Sequence, residues 1–307
     1  MDLASLEIFK AVVEQGGINK AAARLHRVPS NVTTRVKHLE QKLGAKLFAR
    51  NGRKLTLSAD GRVLLTYANQ LLRLSSEAEA ALRNGKPRGT LRIGALESTS
   101  AARLPPILSK YHLLYPDVSI ELVTGTSGAL VNRVHEQDIE AAFVAEPFNA
   151  TALESQLAFL EEIVLIAPKS FPLIRTPKDI GNLTVIAFAN GCSYRRRLEA
   201  WLGTARIHPD RVMEFQSYHA IIACVAAGSG VAVVPRSVIS MTSAANEVNI
   251  AVLPPAAARA KTQLVWRPGH HSIALEALKR LLAKPSLKAA AQGISRRNNV
   301  MHATQTG

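Results

Sequence analysis

Between positions 30 and 37 the chain groups short hydroxyl and amide side chains with cations: Ser30, Asn31, Thr33 and Thr34 run into Arg35 and Lys37. Small groups of this kind match the donors and acceptors on DNA base edges, whereas guanidinium and ammonium groups release counterions from phosphates. A second basic cluster, Arg50, Arg53 and Lys54, brackets the turn-forming pair Asn51-Gly52. No catalytic pattern stands beside these. Gly125-Thr126-Ser127-Gly128-Ala129 does not place its glycines as a nucleophile elbow does, and Gly228-Ser229-Gly230 lacks the third glycine of a dinucleotide fingerprint. His270-His271 has no ligand partner at a useful spacing. An enzyme, a metal site and a cofactor are therefore not expected.

The elements that must position the polar groups can be read from periodicity. Leu6, Phe9 and Val13 make a first amphipathic helix that Gly16-Gly17 stops, and Asn19 caps a short second helix to Leu25. Pro29 suits the first turn of a third, in which Val32, Val36, Leu39 and Leu43 form the buried stripe before Gly44. Turning about 100° per residue puts Ser30, Thr34, Lys37 and Gln41 on the opposite face, flanked by Asn31, Thr33 and His38. Three short helices with a tight second turn spell helix-turn-helix. Residues 46–50 and 53–57 then read as two strands around Asn51-Gly52, a wing with a basic tip. Ser58 caps a long helix to about Asn84, whose Leu64, Ala68, Leu71, Ser75, Ala78 and Leu82 keep a heptad-like spacing. So long a seam calls for a second copy of the chain.

Charge follows this division. Residues 1–90 carry 16 Lys/Arg against seven Asp/Glu, whereas residues 91–284 carry 19 against 16. A basic end on a nearly balanced remainder fits a polyanion-binding module joined to something else. No run of 18 apolar residues exists and the acidic, amphipathic start lacks a signal peptide's pattern, so a cytoplasmic protein without a membrane is expected. Cys192 and Cys224 read as small core thiols, with a redox switch as the alternative. From Thr90 strands alternate with helices, which predicts an α/β fold with parallel sheets covered on both faces.

Gly16, Ala21-Ala22, Leu25, Val32, Leu39-Glu40, Leu43-Gly44, Leu47-Phe48, Arg50, Leu57 and Gly61 resemble, in order and spacing, the DNA-binding signature of LysR-type transcription regulators. The resemblance continues through Leu91-Arg92-Ile93-Gly94, Tyr115-Pro116, Pro168 and residues 228–235. It implies an N-terminal winged helix-turn-helix (1–58), a linker and dimerisation helix with hinge (59–89), and a two-lobed, periplasmic-binding-protein-like α/β effector domain (90–284). Lobe I takes about 90–160 and 267–284, lobe II about 161–266, and 285–307 form a disordered tail. The chain departs from the family at Val28-Pro29-Ser30-Asn31-Val32-Thr33-Thr34, where relatives usually carry Ser-Gln ahead of the helix and an arginine after the aliphatic position. Pro29 cannot offer glutamine's amide to adenine, nor Thr34 grip guanine as arginine does.

The resemblance implies a regulator whose binding to operator DNA is modulated by a small polar effector, acting as a homodimer or homotetramer. Ser30, Asn31, Thr33 and Thr34 are expected at bases, and Arg35, Lys37, Arg50, Arg53 and Lys54 at phosphates. Leu64, Ala68, Leu71, Ala78 and Leu82 are expected in the dimer seam. Four segments resemble the family's effector-contacting loops: Ser98-Thr99-Ser100, Thr126-Ser127, Cys192-Ser193 and Tyr218-His219. Donor-rich helix starts favour a carboxylate, with Arg195 or Arg196 as its cation, while Glu97 would meet an amine; both signs stay open. The alternative is a solute-binding or metabolic protein on the same α/β fold.

Overall fold

Asp2 starts the first helix, α1 (Leu3–Gln15), by accepting the Ser5 backbone N–H at 2.9 Å, and Gly16 ends it in the left-handed conformation. In this computed structural model residues 1–51, 54–82, 86–149, 151–270 and 272–283 are described. Arg53 and the segment 285–307, expected as a wing-tip contact and a disordered tail, lie outside the described residues. The described chain forms two compact units, the first over Met1–Lys86 with Glu136–Asp138 and the second over Pro87–His135 and from Ile139 onward.

In the first unit α2 covers Ile18–Arg24 and α3 Pro29–Leu43. Gly17 precedes α2 and no side chain caps it, so Asn19 sits inside the helix and is not its cap. Phe48–Asn51 (β1) and Lys54–Leu57 (β2) pair antiparallel as the expected wing, followed by α4 (Ala59–Leu82). Ser58 opens α4, its hydroxyl accepting the Gly61 N–H at 2.9 Å. A side chain at Gly61 would bring its Cβ within 2.2 Å of the Leu47 carbonyl oxygen, so only glycine lets α4 lie this close to the wing. Glu40 ties α3 to the same region by accepting the Leu47 N–H at 2.8 Å.

Two parts of the sequence reading change here. Leu43, at the last turn of α3, is 39% exposed because the core ends at Leu39. Leu64 and Ala68 are buried against Leu6, Phe9, Leu39 and Leu47 and therefore belong to the core of this unit. The uncovered apolar face of α4 carries Val63, Tyr67, Leu71 and Leu74, each exposed. The seam is thus rotated by one position from Leu64 and Ala68, with Leu71 common to both readings.

The second unit begins with β3 (Gly89–Ala95), α5 (Glu97–Ala102), α6 (Leu104–Leu114), β4 (Val118–Thr124), α7 (Ser127–His135) and β5 (Ala141–Ala145). These β-strands pair in parallel, as alternation leads one to expect. A 15-residue strand, β6 (Glu154–Pro168), then serves two sheets. Beyond it follow β7 (Val185–Phe188), α8 (Ser193–Gly203), β8 (Val212–Phe215), α9 (Tyr218–Ala226), β9 (Ala232–Pro235), α10 (Arg236–Ile239) and β10 (Val248–Val252). The order closes with α11 (Pro255–Ala258), β11 (Arg259–Trp266) and α12 (Ile273–Ala283).

The N-terminal half of β6 pairs antiparallel with β11, and β11 pairs antiparallel with β5, which completes the first lobe's sheet. The C-terminal half of β6 pairs antiparallel with β9 and β10 in the second lobe, where β7 and β8 run parallel. Parallel sheets alone are therefore not what forms; the sheets are mixed because β6 and β11 cross between lobes and return. Strand β10 was not expected from the sequence. Among the described residues no helix is long and apolar enough to cross a membrane.

Candidate nucleic-acid interface and ligand cleft

Val32, Val36 and Leu39 fix the rotation of α3 by facing the core, and this turns Ser30, Asn31, Thr34, Arg35, Lys37, His38 and Gln41 outward, all exposed. Thr33 is half-buried and its hydroxyl donates to the Pro29 carbonyl at 2.9 Å, so only its lone pairs are left for an outside partner. No side chain caps the start of α3. Its first N–H groups and the positive end of its dipole therefore lie beside Ser30 and Asn31, as suits an anionic partner. Arg50 lies on β1 and Lys54 opens β2, two residues that frame the wing turn.

In the second unit a cleft of about 270 Å³, its open mouth included, is lined by Leu96, Glu97, Ser98, Gly125 and Thr126 from the first lobe. Phe188, Cys192, Ser193, Tyr194 and Tyr218 close it from the second. Every wall segment follows the carboxyl end of a strand, β3, β4, β7 or β8, which is where α/β folds leave helix starts and loops free for binding. The lobes come close at the rim: a Cβ added to Gly191 would lie 3.7 Å from that of Thr126.

The expected contact residues divide by what their polar atoms already hold. Ser98 and Thr99 are each at most 3% exposed; the Ser98 hydroxyl lies in the wall beside the Tyr194 hydroxyl, short of full hydrogen-bond geometry, whereas Thr99 lies outside the wall and its hydroxyl has no hydrogen-bond partner. Unpartnered buried hydroxyls are costly unless a ligand or water meets them. Ser100 instead donates to the Glu97 carbonyl at 2.8 Å. Ser127 both accepts the Ala145 N–H (3.2 Å) and donates to its carbonyl (3.1 Å), and Ser193 bonds Ser127 at 2.9 Å as well as the Ala145 carbonyl. Those two serines therefore fasten α7 and α8 to β5, although Ser193 also contributes to the wall. Tyr218 packs on Phe188 with ring centroids 4.6 Å apart, and His219 is exposed outside the cleft wall.

Burial raises the Cys192 thiol above its ordinary range, so it stands in the cleft as a small neutral wall and not as a reactive thiolate. Tyr194 and Tyr218 are likewise pushed up by burial and stay neutral. The cations held in reserve are engaged elsewhere. Arg195 bonds Glu199 at 2.8 Å, the Phe188 carbonyl at 3.2 Å and Glu214, and Arg196 donates to the Pro147 carbonyl. Sequence reasoning missed Leu96, Gly125, Phe188 and Tyr194 as wall residues. Position would have found most of them, since each directly flanks or ends a segment already singled out.

Beneath the cleft Arg103 and Glu161 form a buried two-pronged ion pair, at 2.7 and 2.9 Å, and Ser237 donates to the same carboxylate at 3.0 Å. Glu161 stands at the midpoint of β6, beside Glu162, and was not singled out from the sequence. It joins α5–α6 to β6 and α10, which links the helices of one lobe to the strand that crosses to the other.

Two family models match this chain: a bacterial regulatory helix-turn-helix of the lysR family over residues 3–62, and a LysR substrate binding domain over residues 84–285. The HTH-type transcriptional regulator YusT of Bacillus subtilis is 37% identical over 87% of this chain and 90% of its own length. GltR, another HTH-type transcriptional regulator of that organism, is 37% identical over 78% and 81%. The fold is similar to that of full-length CbnR complexed with its target DNA, with a TM-score of 0.67, 22% identity and coverage of 92% and 99%. A full-length OxyR variant from Pseudomonas aeruginosa gives a TM-score of 0.72 at 19% identity over 94% and 96%.

Proposed function

Because the chain belongs to the LysR family of transcription regulators, DNA-binding proteins that carry an effector-binding domain, we propose how its own residues divide that work. A homodimer formed on the outer face of α4 presents two copies of α3 to two half-sites of a duplex. Ser30, Asn31 and Thr34 meet base edges, while Arg35, Lys37 and the wing cations, Arg50, Arg53 and Lys54, meet phosphates. A small polar effector binds between the lobes and shifts the operator-binding equilibrium by its unequal affinity for two arrangements of the dimer. The protein works in the cytoplasm beside its DNA and catalyses no reaction.

The observation that carries this reading is a cleft lined from both lobes by the loops after β3, β4, β7 and β8, with the buried Ser98 hydroxyl in its wall, in the domain that follows a DNA-binding module.

Duplexes enriched from a random library by the full-length protein give the operator against which variants are compared. Arg35→Ala is expected to weaken all sequences alike and to lower the salt slope by about one unit. Thr34→Ala is expected to relax preference at one base position per half-site, at a cost of about 1–3 kcal/mol. Equal effects of both variants on operator and random duplex would overturn the division between base and phosphate contacts. At the cleft, Ser98→Ala deletes a hydroxyl from the wall, so effector binding should weaken by about 0.5–1.5 kcal/mol in calorimetric titration.

A further inference from the structure

Among the described residues, Glu97 is the one acidic or basic side chain in the cleft wall. Its Oε2 is sealed from water and has no hydrogen-bond partner. Two further acceptors share the cleft, the hydroxyls of Ser98 and Tyr194, in residues 3% and 2% exposed; they act on each other, with Thr262 beside Tyr194, but none of the three meets another at full hydrogen-bond geometry, which leaves their lone pairs open to a donor. No cation among the described residues lines the cleft to balance this set, since Arg195 and Arg196 are held by Glu199, Glu214 and the Phe188 and Pro147 carbonyls. An ammonium group carries three donors and no acceptor, which complements one carboxylate oxygen and two hydroxyls.

We propose that the effector presents a protonated amine to the cleft, docked on Glu97 with the Ser98 and Tyr194 hydroxyls accepting its other N–H bonds. This rests on the reading of the cleft as the effector site and assigns the ligand's sign. An anionic headgroup at the same place would face an unbalanced carboxylate in a partly dehydrated site, where like charges repel most strongly.

The carboxylate's surroundings add a pH signature. Burial raises the Glu97 pKa, while the Tyr218 backbone N–H and His219 on α9 draw it down. From α8 the facing groups are Cys192 and Tyr194, and from α9 the Tyr218 phenol, all kept neutral by burial. A bound cation favours the ionised carboxylate, so amine affinity rises as pH increases through the free protein's Glu97 titration.

The test is calorimetric titration of the full-length wild type, Glu97→Gln, Glu97→Asp and Ser98→Ala with butylamine, butanediamine and benzylamine, beside butyrate, succinate and benzoate. At least one amine is expected to saturate the wild type, to lose about tenfold or more on Glu97→Gln, to recover in part with Glu97→Asp, and to bind more tightly as pH rises from the ordinary carboxylate range toward neutrality. Thermal melting checks that Glu97→Gln folds as the wild type does. Saturation by an acid in place of every amine, weakened by Ser98→Ala, would overturn the amine while leaving the cleft as the effector site. Amine binding indifferent to Glu97→Gln, or no amine binding at all, overturns it also. Binding of either class that is indifferent to Glu97→Gln and Ser98→Ala alike takes the cleft reading down with it.

Discussion

Leu74→Asp is expected to convert a dimer to monomers at micromolar concentration and to remove most of the operator affinity with it. Leu74 is 60% exposed on a face that also carries Val63, Tyr67 and Leu71 at 59%, 58% and 38%, spaced three to four residues apart as a helix-pairing stripe requires. A carboxylate placed there must be desolvated without a partner when the second copy docks, at a cost of several kcal/mol. Each 1.4 kcal/mol is a factor of about ten in the dissociation constant. Operator binding suffers further because one monomer holds one half-site alone. Leu64→Ala is expected to act differently, lowering the stability of the N-terminal unit by about 2–5 kcal/mol through a cavity among Leu6, Phe9, Leu39 and Leu47. Sedimentation separates the two effects. A Leu74→Asp dimer of unchanged strength would mean that other surfaces hold the pair together.

Arg103→Met is expected to cost the effector domain about 3–5 kcal/mol, the penalty for leaving a buried carboxylate without its cation. The Glu161 side chain is 3% exposed, and once the guanidinium is gone the Ser237 hydroxyl is its remaining hydrogen-bond donor. The double variant Arg103→Met, Glu161→Leu is expected to recover much of the loss, since two apolar groups need no solvation. Denaturant unfolding of the four proteins closes the cycle. If the double variant is as unstable as the sum of the singles, the pair is not the coupled unit described here.

Much of the architecture was legible because local pattern and tertiary role agree. Ala141–Ala145 and Val212–Phe215 are strands that local pattern marks, each a short apolar or alternating run between turns. The fifteen-residue β6 was legible only around Ile163–Ala167. Its first half mixes Glu154, Gln156 and Glu161 with apolar residues, and its antiparallel partner lies about a hundred residues away in β11. Strand direction is set by that distant pairing, so alternation alone pointed to parallel sheets. On α4 two apolar stripes lie side by side, and which one faces inward depends on where α1 and the wing sit. Periodicity cannot say this.

The site shows the same division. Exposed residues of α3 follow from the buried stripe by rotation, and only Leu43 escaped it. In the effector domain, serines and threonines at helix starts look alike in sequence. Ser127 and Ser193 find the Ala145 backbone, whereas Ser98 stays in the cleft wall beside the Tyr194 hydroxyl. The difference arises when α7 and α8 converge on β5, which brings together residues 66 positions apart.

The most direct test of the central claim, that the cleft between the lobes governs operator binding, needs no identified effector. Thr126→Cys with Gly191→Cys, in a chain whose Cys192 and Cys224 are serine, places two Cβ atoms 3.7 Å apart by backbone geometry, within disulfide range. Gly191 has φ +91°, so the second cysteine carries backbone strain of about 1–3 kcal/mol, which the unoxidised form of the same protein controls for. Operator affinity is then measured oxidised and reduced, with the cross-link confirmed by mass. The expected result is a change of about fivefold or more on oxidation that reverses on reduction, the scale of an ordinary coupling between sites. Identical operator affinity in the locked and unlocked forms would contradict the claim.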